Sequence, residues 1–371
     1  MSTHLRIFSF GGNELSPMEL KDSAGKSINP DIALQWQRTA ETSKIVANII
    51  EKHPDDLFVL THGNGPQVGN ILLRSEYARP ILHAIPLDIC GADSQGAMGY
   101  MLAQMSHELH MRGIHRVVAE TITQVVVEGD DPDFKNPSKF IGPPFTKDEA
   151  QKRAKSDGWL VKCYGNDKEG NEIWRRVVPS PIPREIVEIE AVEAHLKAGI
   201  IPISVGGGGI PVVRVKPEVV GDREVYTCNY GIKFDRPHKP GQPPAPVYTG
   251  VEAVIDKDLA SALLGTLLRK RAMARGEKMD VSLTILTAED GAKLNYRKPD
   301  QVDLRRLSLR ELKGICEKNP DAFPAGSMGP KISAVIQFLE NGGKVAYITK
   351  TNLFEKTLAG EAGTTVYNDS L

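Results

Sequence analysis

The chain has almost no net charge. In 371 residues, 46 Lys and Arg stand against 47 Asp and Glu. That removes the electrostatic case for a nucleic-acid partner or an anionic membrane, so any positive charge that matters must be local. Cysteine is scarce: Cys90, Cys163, Cys228 and Cys316 lie far apart and form no C-x-x-C pair, which favours a reduced, cytoplasmic protein. No stretch approaches the roughly 20 apolar residues of a membrane span. No basic segment followed by a long apolar run opens the chain, so no signal peptide is expected. Repeats and low-complexity tracts are absent. So is the phosphate-loop pattern G-x-x-x-x-G-K-[ST], and Gly206 to Gly209 lacks the third glycine of a dinucleotide fingerprint. His107 and His110 share a helix face, but no carboxylate or cysteine set surrounds them, so no metal ligands are expected.

What is present is a strand–turn–helix pattern repeated along the chain. The apolar run at 57–60 breaks into Gly63, Asn64, Gly65 and Pro66, and a helix continues from Pro66. A strand, a glycine turn and a helix N-terminus together make a seat for an anion. A second such turn, Gly11-Gly12-Asn13, follows the strand at 5–10, and a third, 206–209, follows the strand at 200–205. Helices are expected at 31–52, 92–112, 184–198 and 332–341, and further strands at 116–127, 281–287 and 344–349. This alternation predicts a largely parallel, two-sided sheet in one domain spanning 1–371. Two stretches interrupt it. Residues 128–178, with turn formers, a charged helix and a small β element, read as an inserted subdomain. Residues 214–250 carry Pro237, Pro240, Pro243, Pro244 and Pro246, which excludes regular structure for much of that segment.

Three lysines stand in unusual company. Lys139 lies in Lys-Asn-Pro-Ser-Lys within the insert. Lys257 is flanked by Asp256 and Asp258 at an expected strand end, and Lys331 follows Gly-Pro at a helix start. A helix N-terminus repels a cation, so Lys331 there calls for a nearby anion. Three cations and several backbone N–H groups around one anion are what phosphoryl transfer requires, because the protein's task is to position and neutralise the moving group. Asp256 could orient the lysines without reacting.

With these residues in view, the sequence resembles the carbamate kinases of the amino-acid kinase superfamily. The resemblance rests on Gly11-Gly-Asn13, Thr61-His-Gly-Asn-Gly-Pro-Gln-Val-Gly69, Asp131-Pro-Asp-Phe-Lys-Asn-Pro-Ser-Lys139, Gly206-Gly-Gly-Gly-Ile-Pro211, Gly250-Val-Glu-Ala-Val-Ile-Asp-Lys-Asp-Leu259 and Gly326-Ser-Met-Gly-Pro-Lys331, in that order along nearly the whole chain. It implies a three-layer α/β/α sandwich around an open, mainly parallel sheet, with a small protruding subdomain, usually as a homodimer. It further implies interconversion of ATP and carbamate with ADP and carbamoyl phosphate, using Mg²⁺ with the nucleotide and often running toward ATP. Carried over by position, Gly11, Gly12 and Asn13 would hold the transferring phosphate. Gly63 and Asn64, with Gly207 and Gly208, would hold the substrate end. Lys139, Lys257, Lys331 and Asp256 would be catalytic, and Thr287, Asp290, Met328 and Gly329 would border the nucleotide. The chain departs from the family at Ala288, where an acid is usual, at Lys293, where an aromatic is usual, and at Phe140, Glu14 and the longer 214–250 segment. These departures motivate two alternatives: a kinase for another small carboxylate or carbamate-like acid, and a non-catalytic paralogue that senses ligand.

Overall fold

The computed structural model describes residues 3–15, 20–21, 27–28, 31–167, 169–324 and 327–370. The polar segment at 16–30 reads in sequence as a loop that could cover a site, and most of it lies outside the described residues. The centre is an eight-stranded sheet built from β1 (Thr3–Phe10), β2 (Leu57–His62), β3 (Val118–Glu120), β4 (Ile201–Ile203), β5 (Met279–Leu286), β6 (Arg306–Ser308), β7 (Val345–Thr349) and β8 (Thr364–Tyr367). Its order is β6-β8-β7-β5-β1-β2-β4-β3, parallel throughout except between β7 and β8.

From Leu5 to Phe10 both faces of β1 are buried, so its apolar residues serve two cores. Leu5 and Ile7 point into one core with Leu283, Ile285 and Ile348. Phe8 and Phe10 point into the other with Phe58 and Leu60. Helices α1 (Ile32–Lys52) and α3 (Leu87–Ala103) cover the phenylalanine face through Val46, Ile50, Met98 and Leu102. Between them in sequence, α2 (Gly65–Ala78) follows the glycine turn of β2. Helices α4 (Lys257–Ala274) and α5 (Met328–Glu340) cover the opposite face through Leu264, Leu268, Val335 and Phe338. The result is a three-layer α/β/α sandwich.

Within residues 128–178, strands Lys139–Phe145, Glu172–Val178 and Leu160–Asn166 form a separate antiparallel sheet. Its helix Lys147–Asp157 starts with a capping box between Thr146 and Glu149.

Several sequence expectations are corrected. Residues 184–198 are not one helix. Pro183–Ile186 is a strand antiparallel to Gln124–Val127, and the helix is Ile189–Lys197; the tertiary pairing of a buried Ile186 overrides the helical preference of Arg184 and Glu185. The helix expected at 92–112 begins at Leu87, behind Pro86, and breaks at Gln104. Residues 214–250 contain a three-stranded antiparallel sheet, Glu218–Val220, Arg223–Thr227 and Lys233–Pro237. No proline lies between Pro217 and Pro237, so the ladder forms there, ends at Pro237 and leaves Pro240, Pro243, Pro244 and Pro246 to the return loop. The strand expected to run from 250 into Asp256 is only Tyr248–Gly250, and Lys257 already belongs to α4.

One buried acid stands apart from the site. Both carboxylate oxygens of Glu120 on the edge strand β3 are buried without a hydrogen-bond partner. Burial pushes its pKa up from 4.5 to about 9. The folded state therefore keeps a proton that the unfolded chain releases, so stability falls as pH rises from about 4.5 to about 9, by up to ~1.4 kcal/mol per pH unit. Glu120→Gln removes that slope. Its thermal midpoint is expected to exceed the parent's by a margin that widens from about pH 5 to about pH 8; a constant or shrinking margin would contradict a neutral Glu120.

Candidate active site

Three glycine turns meet at the C-terminal ends of the central strands, where open α/β sheets place ligands. Gly11 follows β1 and donates its N–H to the Leu286 carbonyl at 3.0 Å; Gly63 follows β2 and donates to Phe10 at 2.8 Å. The two turns touch so closely that a Cβ on Gly63 would lie 2.8 Å from the Gly12 nitrogen. Asn64 is the residue before α2, with Pro66 in the first turn. Its side chain does not cap the helix; the amide donates to the Ser94 hydroxyl at 2.6 Å. That amide lies flat on Gly207, where φ is +65° and any Cβ would fall 2.0–2.2 Å from the amide atoms. Gly208 backs onto the Ile255 carbonyl, one residue before the α4 cap. Gly11, Gly12, Gly63, Asn64, Gly207 and Gly208 therefore form one continuous wall. The side chains of Asn13 and Glu14, and Gly326, lie outside the described residues.

The N-terminus of α4 supplies the charge. Asp256 caps it, accepting from the N–H groups of Asp258 and Leu259. Its second oxygen lies 3.5 Å from Lys139 Nζ, which reaches in from the protruding subdomain. Asp258 is the more deeply placed acid, fully buried and absent from the residues singled out as catalytic in sequence. It accepts from Lys257 Nζ at 2.6 Å, from Lys331 Nζ at 3.1 Å and from the Ser9 hydroxyl at 3.0 Å. Lys257 also donates to the Ser9 hydroxyl at 2.8 Å. The role of organiser thus divides: Asp256 meets Lys139, and Asp258 pairs Lys257 with Lys331. The sequence signal was the triplet Asp-Lys-Asp at 256–258. In a strand its first and third residues would share a face. In the first helical turn Asp256 is instead used on backbone N–H groups, and Asp258 turns inward.

The electrostatics follow from burial. Burial pulls the Lys257 ammonium below the ordinary lysine value, against the attraction of Asp258. At Lys331 burial acts the same way, but Asp258 outweighs it and the net shift is upward. Burial alone would raise Asp258; Lys257 and Lys331 overcome it and hold this carboxylate far below its usual range. Beneath the turns, burial lowers His62 to about 4, so its imidazole is neutral near pH 7.

The residues expected at the nucleotide end fare unevenly. Met328 and Gly329 share the first turn of α5 with Lys331. Thr287 follows β5 and is tied to Thr349 by its backbone N–H. Asp290 is engaged elsewhere: it accepts from the Gly363 N–H at 2.8 Å and pairs with Arg305 at 3.3 Å, holding its loop to the strand β8 region. Lys293, at the aromatic position, pairs with Asp303 at 2.6 Å. Among the described residues, no three His, Cys, Asp or Glu side chains gather as a metal site.

Glycine turns set beside buried, carboxylate-paired lysines at the C-terminal edge of a parallel sheet are the equipment of a small-molecule phosphotransferase. No family model matches the chain. A carbamate kinase of Pyrococcus horikoshii is 37% identical over 364 residues, covering 97% of this chain and 98% of that protein. A carbamate kinase of Clostridium perfringens is 37% identical over 365 residues, with the same coverage. The solved carbamate kinase of Giardia lamblia bound to AMP-PNP is 31% identical, with a TM-score of 0.77 over 99% of each chain. The chain belongs to the carbamate kinase family.

Proposed function

We propose that this protein transfers a phosphoryl group reversibly between carbamoyl phosphate and ADP, forming carbamate and ATP. The observation that carries this is Asp258 holding Lys257 and Lys331 together beside the Gly11-Gly12 and Gly63-Asn64 turns. Two fixed cations on one buried acid suit the equatorial and bridging oxygens of a moving phosphoryl group. Gly12 offers its N–H to that group, while Gly11, whose own N–H is held by Leu286, fixes the turn. Gly63, Asn64, Gly207 and Gly208 seat the planar carbamate end. Lys139 reaches the anion from the subdomain, steered by Asp256. Thr287, Met328 and Gly329 border the nucleotide, whereas Asp290 acts by shaping that border. Mg²⁺ would come with the nucleotide, since this ion prefers phosphate oxygens and water to an all-protein cage.

A homodimer fits the exposed apolar side chains Tyr100 and Ile122 beside β3, an edge strand of the central sheet among the described residues. Sedimentation of the full chain measures it. The function itself is tested by a coupled assay for ATP from ADP and carbamoyl phosphate, run beside acetyl phosphate. ATP from carbamoyl phosphate alone is the expected result. ATP from acetyl phosphate in preference would move the substrate to another small acid, and ATP from neither would leave a ligand-sensing paralogue.

The 214–250 segment is read as an addition to the core. Arg214 pairs with Tyr248 and Val215 donates to Val247, so the chain leaves and returns at one point of the sheet. Replacing residues 217–246 by a tight turn is expected to leave a soluble, cooperatively melting protein. Loss of soluble protein would show that the segment belongs to the core or to a subunit contact.

A further inference from the structure

A cavity of about 160 Å³ lies between the protruding subdomain and α2. It shares no lining residue with the phosphoryl site. Its walls are Leu72, Ile141, Phe145 and Trp159, with the guanidinium groups of Arg153 and Arg176 at its margin. Both guanidiniums lie over the Trp159 ring, 5.4 and 5.0 Å from its centre. An apolar cavity of ~150 Å³ takes a ligand the size of benzene. The charge of the lining is two guanidiniums against one carboxylate, Glu76. Arg153 is committed on both sides, at 3.0 Å from Glu76 and 3.0 Å from Asp157. Arg176 has one acid partner, Glu252 at 2.5 Å. Glu252 lies half in solvent and already accepts from the Leu87 N–H, so it keeps a partner if Arg176 turns to another anion.

We propose that this cavity binds a small aromatic carboxylate, with its ring against Trp159 and its carboxylate on the Arg176 fork. The location gives such a ligand a consequence. Lys139 and Ile141 alternate on one face of the same subdomain strand, and α2 begins at the Asn64 turn. An occupant therefore ties together the two elements that carry Lys139 and the acceptor wall. It favours the subdomain position in which Lys139 stands 3.5 Å from Asp256. The expected result is a lower KM for carbamoyl phosphate. That effect rests on the proposed function; the binding does not.

The probes are benzoate, benzyl alcohol and acetate, added to the full chain and followed by thermal midpoint and by calorimetry. Benzoate is expected to raise the midpoint saturably, benzyl alcohol less, and acetate not at all. Leu73→Trp fills the cavity from α2 and should abolish the benzoate response. Arg176→Lys should weaken benzoate about tenfold and benzyl alcohol hardly at all, because lysine lacks the fork. Should Leu73→Trp not fold, Trp159→Leu removes the ring and should weaken both aromatic probes. No response to benzoate overturns the proposal. So does a response that persists in the filled variant, or one that carbamoyl phosphate abolishes while benzoate raises the KM. That last pattern would put benzoate in the acceptor site.

Discussion

Asp258→Asn is expected to destabilise the fold by about 3–5 kcal/mol and to abolish most of the activity, a larger combined loss than at any other single position. The carboxylate is buried, and Lys257, Lys331 and Ser9 all converge on it. The substitution keeps the shape but removes the charge that compensates two buried ammonium groups. Removing one partner of a buried pair is far more damaging than replacing the whole pair by apolar groups, because the remaining charge has lost its solvent and gained nothing. The expected signature is a large fall in the urea midpoint with an unchanged slope, together with lost turnover. A stability loss under about 1 kcal/mol would mean that water, rather than Asp258, neutralises the lysines.

Lys331→Ala and Lys257→Ala should separate from that result. Each leaves Asp258 one cation, so each variant is expected to fold, while turnover falls by about 10²–10³ or more. The scale is that of removing one preorganised donor from a transition state whose charge it stabilises. The loss should appear in kcat rather than mainly in KM, because the charge they face develops as the phosphoryl group moves. Lys139→Ala should be milder in kcat and heavier in KM. Its ammonium is more exposed and only 3.5 Å from Asp256, so it guides the anion more than it holds the reacting group. Near-normal turnover in both Lys257→Ala and Lys331→Ala would sink the proposed mechanism.

The parts of this site that were legible in sequence share a local cause. Gly11, Gly63 and Gly206 to Gly209 each follow an apolar run, and a strand that ends in glycine marks the C-terminal edge of a parallel sheet whatever lies beside it. Lys257 and Lys331 stood out because each sits at a helix start, where a cation is poorly served locally, and Lys139 because it directly follows the turn-forming Asn-Pro-Ser run. Asp258 was passed over for an equally local reason. A strand ending at 256 makes Asp256 the natural partner of the lysines, whereas a helix starting at 257 uses it as a cap. Which pattern wins depends on packing of Leu264 and Leu268 against the sheet, a long-range fact. Asp290 illustrates the same limit: its partners Arg305 and Gly363 are remote in sequence, and no spacing announces them.

By itself, the sequence determined the two-sided parallel sheet, the three glycine turns and the set of cations, because apolar runs, turn formers and misplaced charges act over a few residues. Only the tertiary structure decided that Asp258 joins Lys257 to Lys331, that Asp256 steers Lys139, that residues 218–237 form a sheet, and that an apolar cavity separates the subdomain from α2. Each of those depends on elements distant along the chain meeting at a distance of a few ångströms. Buried charge and unfilled volume are properties of that meeting, and no single segment carries them.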